Sequence, residues 1–166
     1  MPEILQLLIR AEKALTEKGK EEAIRIIETT ELKNDRVLVV YLPDCHESLA
    51  GIIAGRIREK YHRPAFVLTG GETSAKGSGR SIESYSMYEE LVKCADLMIQ
   101  FGGHPMAAGL SIEEKNIEEF RRRLNVNCTL TDEELRPKIV IDVPMPVSYI
   151  TKELVEQISL LEPFGK

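Results

Sequence analysis

The sequence predicts an α/β fold with a small mixed or parallel sheet and flanking helices. Two apolar, β-rich runs carry that expectation, Val37-Leu38-Val39-Val40-Tyr41-Leu42 and Pro64-Ala65-Phe66-Val67-Leu68. Each is continuous rather than alternating, as in strands covered on both faces. A helical stretch lies between them, so strand, helix and strand form a crossover unit, whose two strands are parallel.

The elements follow in order. Residues 3–33 read as helix, because Ile4, Leu5, Leu7, Leu8, Ala11 and Leu15 keep a helical period that Ala23, Ile24, Ile26 and Ile27 resume. Gly19 is a candidate break in it. Pro43-Asp44 ends the first strand. Ser48 is the expected cap of a helix reaching about Lys60, on which Gly51 and Gly55 allow close packing. Gly70-Gly71 closes the second strand. Residues 75–82 read as a third, exposed strand or loop. Ser86-Met87-Tyr88-Glu89 has the pattern of a capping box, with a helix to about Asp96. A glycine-histidine loop comes next, then a strand over 107–112. Residues 114–125 predict a charged helix with Ile117, Phe120 and Leu124 inward. Composition shifts near Asn125. Residues 138–143 read as a strand and Thr151–Leu161 as a helix. The chain then stops on the turn signal Glu162-Pro163-Phe164-Gly165, as a segment of a longer protein would. The expected divisions are a helical lead-in over 1–34, a domain over 35–126 and a further region over 127–166.

Composition narrows the function. Of 166 residues, 43% are hydrophobic and 30% charged, ordinary for a soluble globular chain. No run approaches a membrane span, and the N-terminus lacks the pattern of a signal peptide. Cys45, Cys94 and Cys128 have no metal-ligand spacing and predict reduced thiols in a cytoplasmic protein. The net charge of −5 argues against a broad electrostatic grip on nucleic acid but permits a local site with a few phosphate contacts.

Two glycine-rich runs offer such a site. In Phe101-Gly102-Gly103-His104-Pro105-Met106-Ala107-Ala108-Gly109, two glycines free the backbone beside an imidazole able to move a proton near neutral pH. In Lys76-Gly77-Ser78-Gly79-Arg80-Ser81, hydroxyls and cations flank backbone N–H groups that can form an anion nest. Arg80 can hold a phosphate through two parallel hydrogen bonds. The spacing is not that of a Walker loop. His46 stands just after a strand and near a helix start, where ligands gather in α/β folds. His62 reads as a helix C-terminal cap. Arg121-Arg122-Arg123 reads as a solvated face, and Met87, Met98 and Met106 as core filler. No clustered Asp/His set suits a two-metal hydrolase, and Asp44, Asp96 and Asp142 sit in no motif.

The order and spacing of Lys76-Gly77-Ser78-Gly79-Arg80-Ser81, Gly102-Gly103-His104 and Ala107-Ala108-Gly109 resemble the DHH-family phosphoesterases. Within them the likeness is to the bacterial single-strand-specific 5′-to-3′ DNA exonucleases of repair and recombination. The segments His46 to Arg56 and Lys60 to Val67 extend it, so that it covers about Val37 to Leu124. The family carries Trp-His-Pro-Gly where this chain has Cys45-His46-Glu47-Ser48. The resemblance implies that residues 35–126 are a DHH-associated domain and that 127–166 open an OB-type region. It implies single-stranded DNA and the DHH catalytic domain of the same protein as partners, with no membrane. Mn²⁺ or Mg²⁺ is expected in that DHH domain, with no metal ligands or cofactor in this chain, which alone is expected to be inactive. Carried to matching positions, Ser78 and Arg80 would bind the 5′-phosphate region, with Lys76, Gly79, Ser81 and His46 as further contacts. Gly102 and Gly103 would admit the backbone, and His104 would face the scissile phosphate as the catalytic contact. The alternatives are an oligoribonuclease or cyclic-dinucleotide hydrolase of the same superfamily, or a non-enzymatic interaction module.

Overall fold

Side chains alternate across each strand, and here the alternation divides the apolar residues into two cores on opposite faces of one sheet. In the computed structural model, which describes residues 3–138, 141 and 143–163, five α-helices and five strands are assigned among these residues, besides short 3-10 turns. They are α1 (Glu3–Thr29), β1 (Leu38–Leu42), α2 (Glu47–Tyr61), β2 (Ala65–Thr69) and β3 (Ala75–Arg80). The remainder are α3 (Met87–Val92), β4 (Met98–His104), β5 (Ala107–Ile112), α4 (Ile117–Val126) and α5 (Lys152–Ser159). The sheet order is β1-β2-β3-β5-β4, with β1 and β2 parallel and the other neighbours antiparallel. The mixed sheet and the crossover through α2 agree with the expected α/β class.

On one face, Leu38, Val40, Leu42, Ala65 and Val67 pack against Leu49, Ile53 and Ile57 of α2 and Ala23 and Ile27 of α1. On the other, Val39, Phe66, Leu68, Leu110 and Ile112 meet Met87 and Leu91 of α3 and Phe120 and Leu124 of α4. Phe66 and Phe120 cross edge to face there, with ring centroids 5.4 Å apart.

α1 runs unbroken through Gly19, correcting the expected interruption. A methyl at Gly19 would lie 2.6 Å from Ile53 Cδ1, so the glycine serves the approach of α2 instead. The first half of α1 is exposed, including Leu5, Leu7, Leu8 and Leu15.

α4 is tied to the start of β1 by polar groups. Asn125 Oδ1 accepts from the backbone N–H groups of Arg36 and Val37 at 2.9 and 3.0 Å, and its amide donates to the carbonyls of Val37 and Arg121. The Arg121 guanidinium holds Asp35 through two contacts of 2.6 and 3.2 Å. Arg122 pairs with Glu119, and Arg123 with Glu119 and Asp96. These guanidiniums pull the Glu119 carboxyl down to about 2. The basic run is therefore spent on ion pairs at and near the surface.

Three local expectations change and one holds. The cap of α2 is His46, whose Nδ1 accepts from the Ser48 N–H at 3.3 Å. Ser48 fails as cap because it lies inside the first turn. The capping box at Ser86 is not closed, since Ser86 makes no side-chain cap bond and its hydroxyl is buried without a partner. Met106 is 45% exposed at a hairpin tip rather than in the core, whereas Met87 is fully buried. His62 does cap α2, in the left-handed region at φ 50°.

The strand expected over 138–143 falls largely on residues 139, 140 and 142, outside the described residues. Among the described residues of the tail, α5 is the one regular helix and has no buried side chain. No described helix is long and apolar enough to cross a membrane.

Candidate functional site

Both glycine-rich runs are strands of the same sheet, which selects the strand alternative for residues 75–82 and corrects the expected glycine-histidine loop. Residues 75–80 form β3, the central strand, and the glycine-histidine segment forms β4, the edge. Glycine is depleted in strands, and two glycines in each run blur the β pattern, leaving the first run open between strand and loop and the second read as a loop. Strand partners on both sides engage the β3 backbone, so its N–H groups form ladders rather than an anion nest.

Register places the side chains. Ala65 and Val67 belong to the core beneath α2, and their cross-strand partners are Arg80 and Ser78. Lys76, Ser78 and Arg80 therefore stand on the α2 face of β3. Continuing across the sheet, Lys76 faces Ser111 and then Gln100, Ser78 faces Gly109 and then Gly102, and Arg80 faces Ala107 and then His104. The result is a grid of three rows on three strands. Its middle row is nearly bare, because a methyl at Gly102 would meet nothing within 4 Å and one at Gly109 only the Gly77 carbonyl oxygen, at 3.8 Å. Cations and hydroxyls border that floor.

α2 covers β1, β2 and part of β3 and leaves β5 and β4 open on this face. A cleft of about 570 Å³ results, lined by Lys76, Ser78 and Gly102 together with Gln100, Gly109 and Ser111. Its wall is the first turn of α2, Glu47, Ser48 and Ala50. Lys76 Nζ donates to Ser111 Oγ at 3.1 Å. Arg80 Nη1 donates to the Gly79 carbonyl at 2.8 Å, which leaves most of its five N–H donors for a ligand. His104 ends β4 beside the hairpin and is exposed. Gly103 has φ 150°, and a methyl there would lie 2.4 Å from the Ala107 carbonyl oxygen. It is glycine for the hairpin that aims His104.

Three expected contacts lie elsewhere. Gly79 points to the opposite face, where a methyl would meet Met87 Sδ at 2.5 Å and Phe66 Cε1 at 2.6 Å. Ser81 is buried, donates its hydroxyl to the Tyr85 carbonyl at 2.6 Å and gives its N–H to the Met106 carbonyl. His46 lines a second cleft, between α1 and the end of β1. Its Nδ1 is occupied by Ser48. Gln100, Ser111 and the first turn of α2 also line the cleft and are not among the expected contacts. A period of two from His104 back through Gly102 to Gln100 was the available signal. Among the described residues no group of three His, Cys, Asp or Glu side chains is placed to hold a metal ion. Burial pushes the thiols of Cys45, Cys94 and Cys128 up, which disfavours the nucleophilic thiolate.

Comparison with known proteins gives a consistent result. Residues 34–129 match the DHHA1 domain family. The chain is 36% identical over 155 residues to the single-stranded-DNA-specific exonuclease RecJ of Bacillus subtilis (strain 168), covering 91% of this chain and 20% of that protein. It is 33% identical over 172 residues to the RecJ of Escherichia coli (strain K12), covering 98% of this chain and 30% of that one. The crystal structure of RecJ in complex with Mg²⁺ from Thermus thermophilus superposes with a TM-score of 0.71 at 26% identity, over 97% of this chain and 25% of that chain. The chain thus spans less than a third of the length of these relatives.

Proposed function

The chain belongs to the DHHA1 domain family, and on that premise we propose that it grips substrate for a RecJ-type 5′-to-3′ single-strand DNA exonuclease of repair and recombination. It holds the sugar–phosphate backbone of single-stranded DNA against the β3-β5-β4 face while a DHH domain of the same protein performs metal-dependent hydrolysis. One observation carries the reading. Lys76, Ser78, Ser111, Arg80 and His104 border a bare Gly102–Gly109 floor on a single open face.

Each group has a physical task. Arg80 forms two parallel charge-assisted hydrogen bonds to a phosphate, the 5′-phosphate where one is present. The Ser78 hydroxyl donates to a neighbouring oxygen. Lys76 adds a point charge four residues, or about 13 Å, along the strand. The glycine floor lets a sugar–phosphate chain lie against backbone. His104, at the open end of the row, donates a hydrogen bond to charge developing on the scissile phosphate. The Mn²⁺ or Mg²⁺ expected of such enzymes has no donor set among the described residues of this chain. The chain alone binds and does not cleave. Glu47 on the cleft wall opposes anions, and with the net charge of −5 it keeps the grip short and salt-sensitive.

Titration of the chain with a short single-stranded oligonucleotide at low salt tests this. Arg80→Ala lowers affinity for the 5′-phosphorylated strand about tenfold, the loss expected for a charge-assisted contact. In the whole protein, His104→Ala slows cleavage more than it weakens binding. Affinity unchanged in Arg80→Ala, or equal losses of cleavage and binding in His104→Ala, removes the respective role.

A further inference from the structure

Two glycines lie one turn apart inside α2, where each costs helix stability relative to alanine. Their surroundings differ. A methyl on Gly55 would meet nothing within 4 Å. A methyl on Gly51 would lie 2.7 Å from Arg80 Nη2, 3.4 Å from its Cζ and 3.7 Å from its Nη1. The Nη2 end of the Arg80 guanidinium therefore occupies the space that a side chain on Gly51 would fill, one residue on from Ala50 in the cleft wall. Its other restraint is the Gly79 carbonyl, which accepts from Nη1 at 2.8 Å.

We infer that Gly51 is a positioning residue, the seat that fixes the direction of the Arg80 guanidinium before substrate arrives. The inference rests on the proposed role of Arg80 as a phosphate grip. A long side chain free at every torsion loses rotamer entropy on binding, and a preset one loses less. Any side chain at residue 51 displaces the planar fork from this seat. Two parallel hydrogen bonds to one phosphate tolerate such a shift poorly, because both must stay aligned. The helix-weakening glycine is thereby explained on one side of α2 and left without such a reason at Gly55.

The test is a binding cycle on this chain with a 5′-phosphorylated single-stranded oligonucleotide at low salt, with thermal midpoints recorded for each variant. Gly51→Ala is expected to weaken binding about threefold or more while its midpoint stays level or rises. Gly55→Ala is expected to raise the midpoint and leave binding as it was. In an Arg80→Ala background, Gly51→Ala should add no further loss, since the group it positions is gone. Full affinity in Gly51→Ala alongside a clear loss in Arg80→Ala would overturn the seat and leave the phosphate grip standing. The same fold-loss from Gly51→Ala with or without Arg80 would also overturn it. Arg80→Ala binding as tightly as the unsubstituted chain would instead sink the grip, and the seat with it.

Discussion

Gly102 and Gly103 are adjacent in sequence and opposite in physical role. Gly102 faces open space above the sheet, whereas Gly103 adopts φ 150° with backbone atoms filling the place of a side chain. Gly102→Ala is therefore expected to fold with an unchanged thermal midpoint and to weaken oligonucleotide binding by narrowing the floor. Gly103→Ala should lower the midpoint, because strain of about 1–3 kcal/mol enters the hairpin. Thermal melts beside binding titrations check both, and a loss of stability at Gly102 would show that the floor is not open. The sequence singles out candidate contacts but not the face of the sheet on which each side chain stands. Ser78, Arg80 and His104 were legible as polar groups amid glycine, and the structure places them on one face. Gly79 and Ser81 looked equivalent to them, but only the alternation of a strand reveals that they turn into the protein.

The elements were legible where apolar pattern and propensity agree. β1, α2 and β2 were read from two β-branched runs and an intervening helix, and their register makes them parallel. β3 was read only as a strand or loop and β4 as a loop, since Gly77, Gly79, Gly102 and Gly103 carry no side chain to show a period. Their strand character comes from pairing with β2 and β5, a long-range effect that local sequence does not encode. The caps failed for a related reason. A His46 cap satisfies Ser48 N–H through an imidazole nitrogen, a substitute that a search for Ser, Thr, Asp or Asn passes over. α4 illustrates a contact that no periodicity announces. Asn125 satisfies two N–H groups and two carbonyls at the junction of α4 and β1. Asn125→Ala leaves part-buried backbone groups unpaired and should destabilise the chain by about 2 kcal/mol, measured by urea unfolding. A change below about 0.5 kcal/mol would mean that water replaces the side chain at no cost.

Across the whole molecule, the open face results from uneven coverage of one sheet. α3 and α4 close one face, while α1 and α2 close only the β1-β2-β3 side of the other. The remainder, over β5 and β4, is polar at its margins and bare at its centre. Two cores of large aliphatic and aromatic side chains make the floor rigid, so the grid on it is held by packing rather than by loops. An acidic chain can carry such a site because the cations that count are local. Arg121, Arg122 and Arg123 are bound up in carboxylates, whereas Arg80 has donors to spare and Lys76 bonds only a neutral hydroxyl. On the proposed reading, single-stranded DNA lies on the open β3-β5-β4 face. The most direct test is a ¹⁵N-resolved NMR titration of this chain with a short 5′-phosphorylated single-stranded oligonucleotide at low salt. On that reading, amide shifts are expected to concentrate at Lys76, Ser78, Arg80, Gln100, Gly102, His104 and Gly109. Shifts confined to the cleft around His46 or to the arginines of α4 would contradict it, as would a spectrum that the strand leaves unchanged.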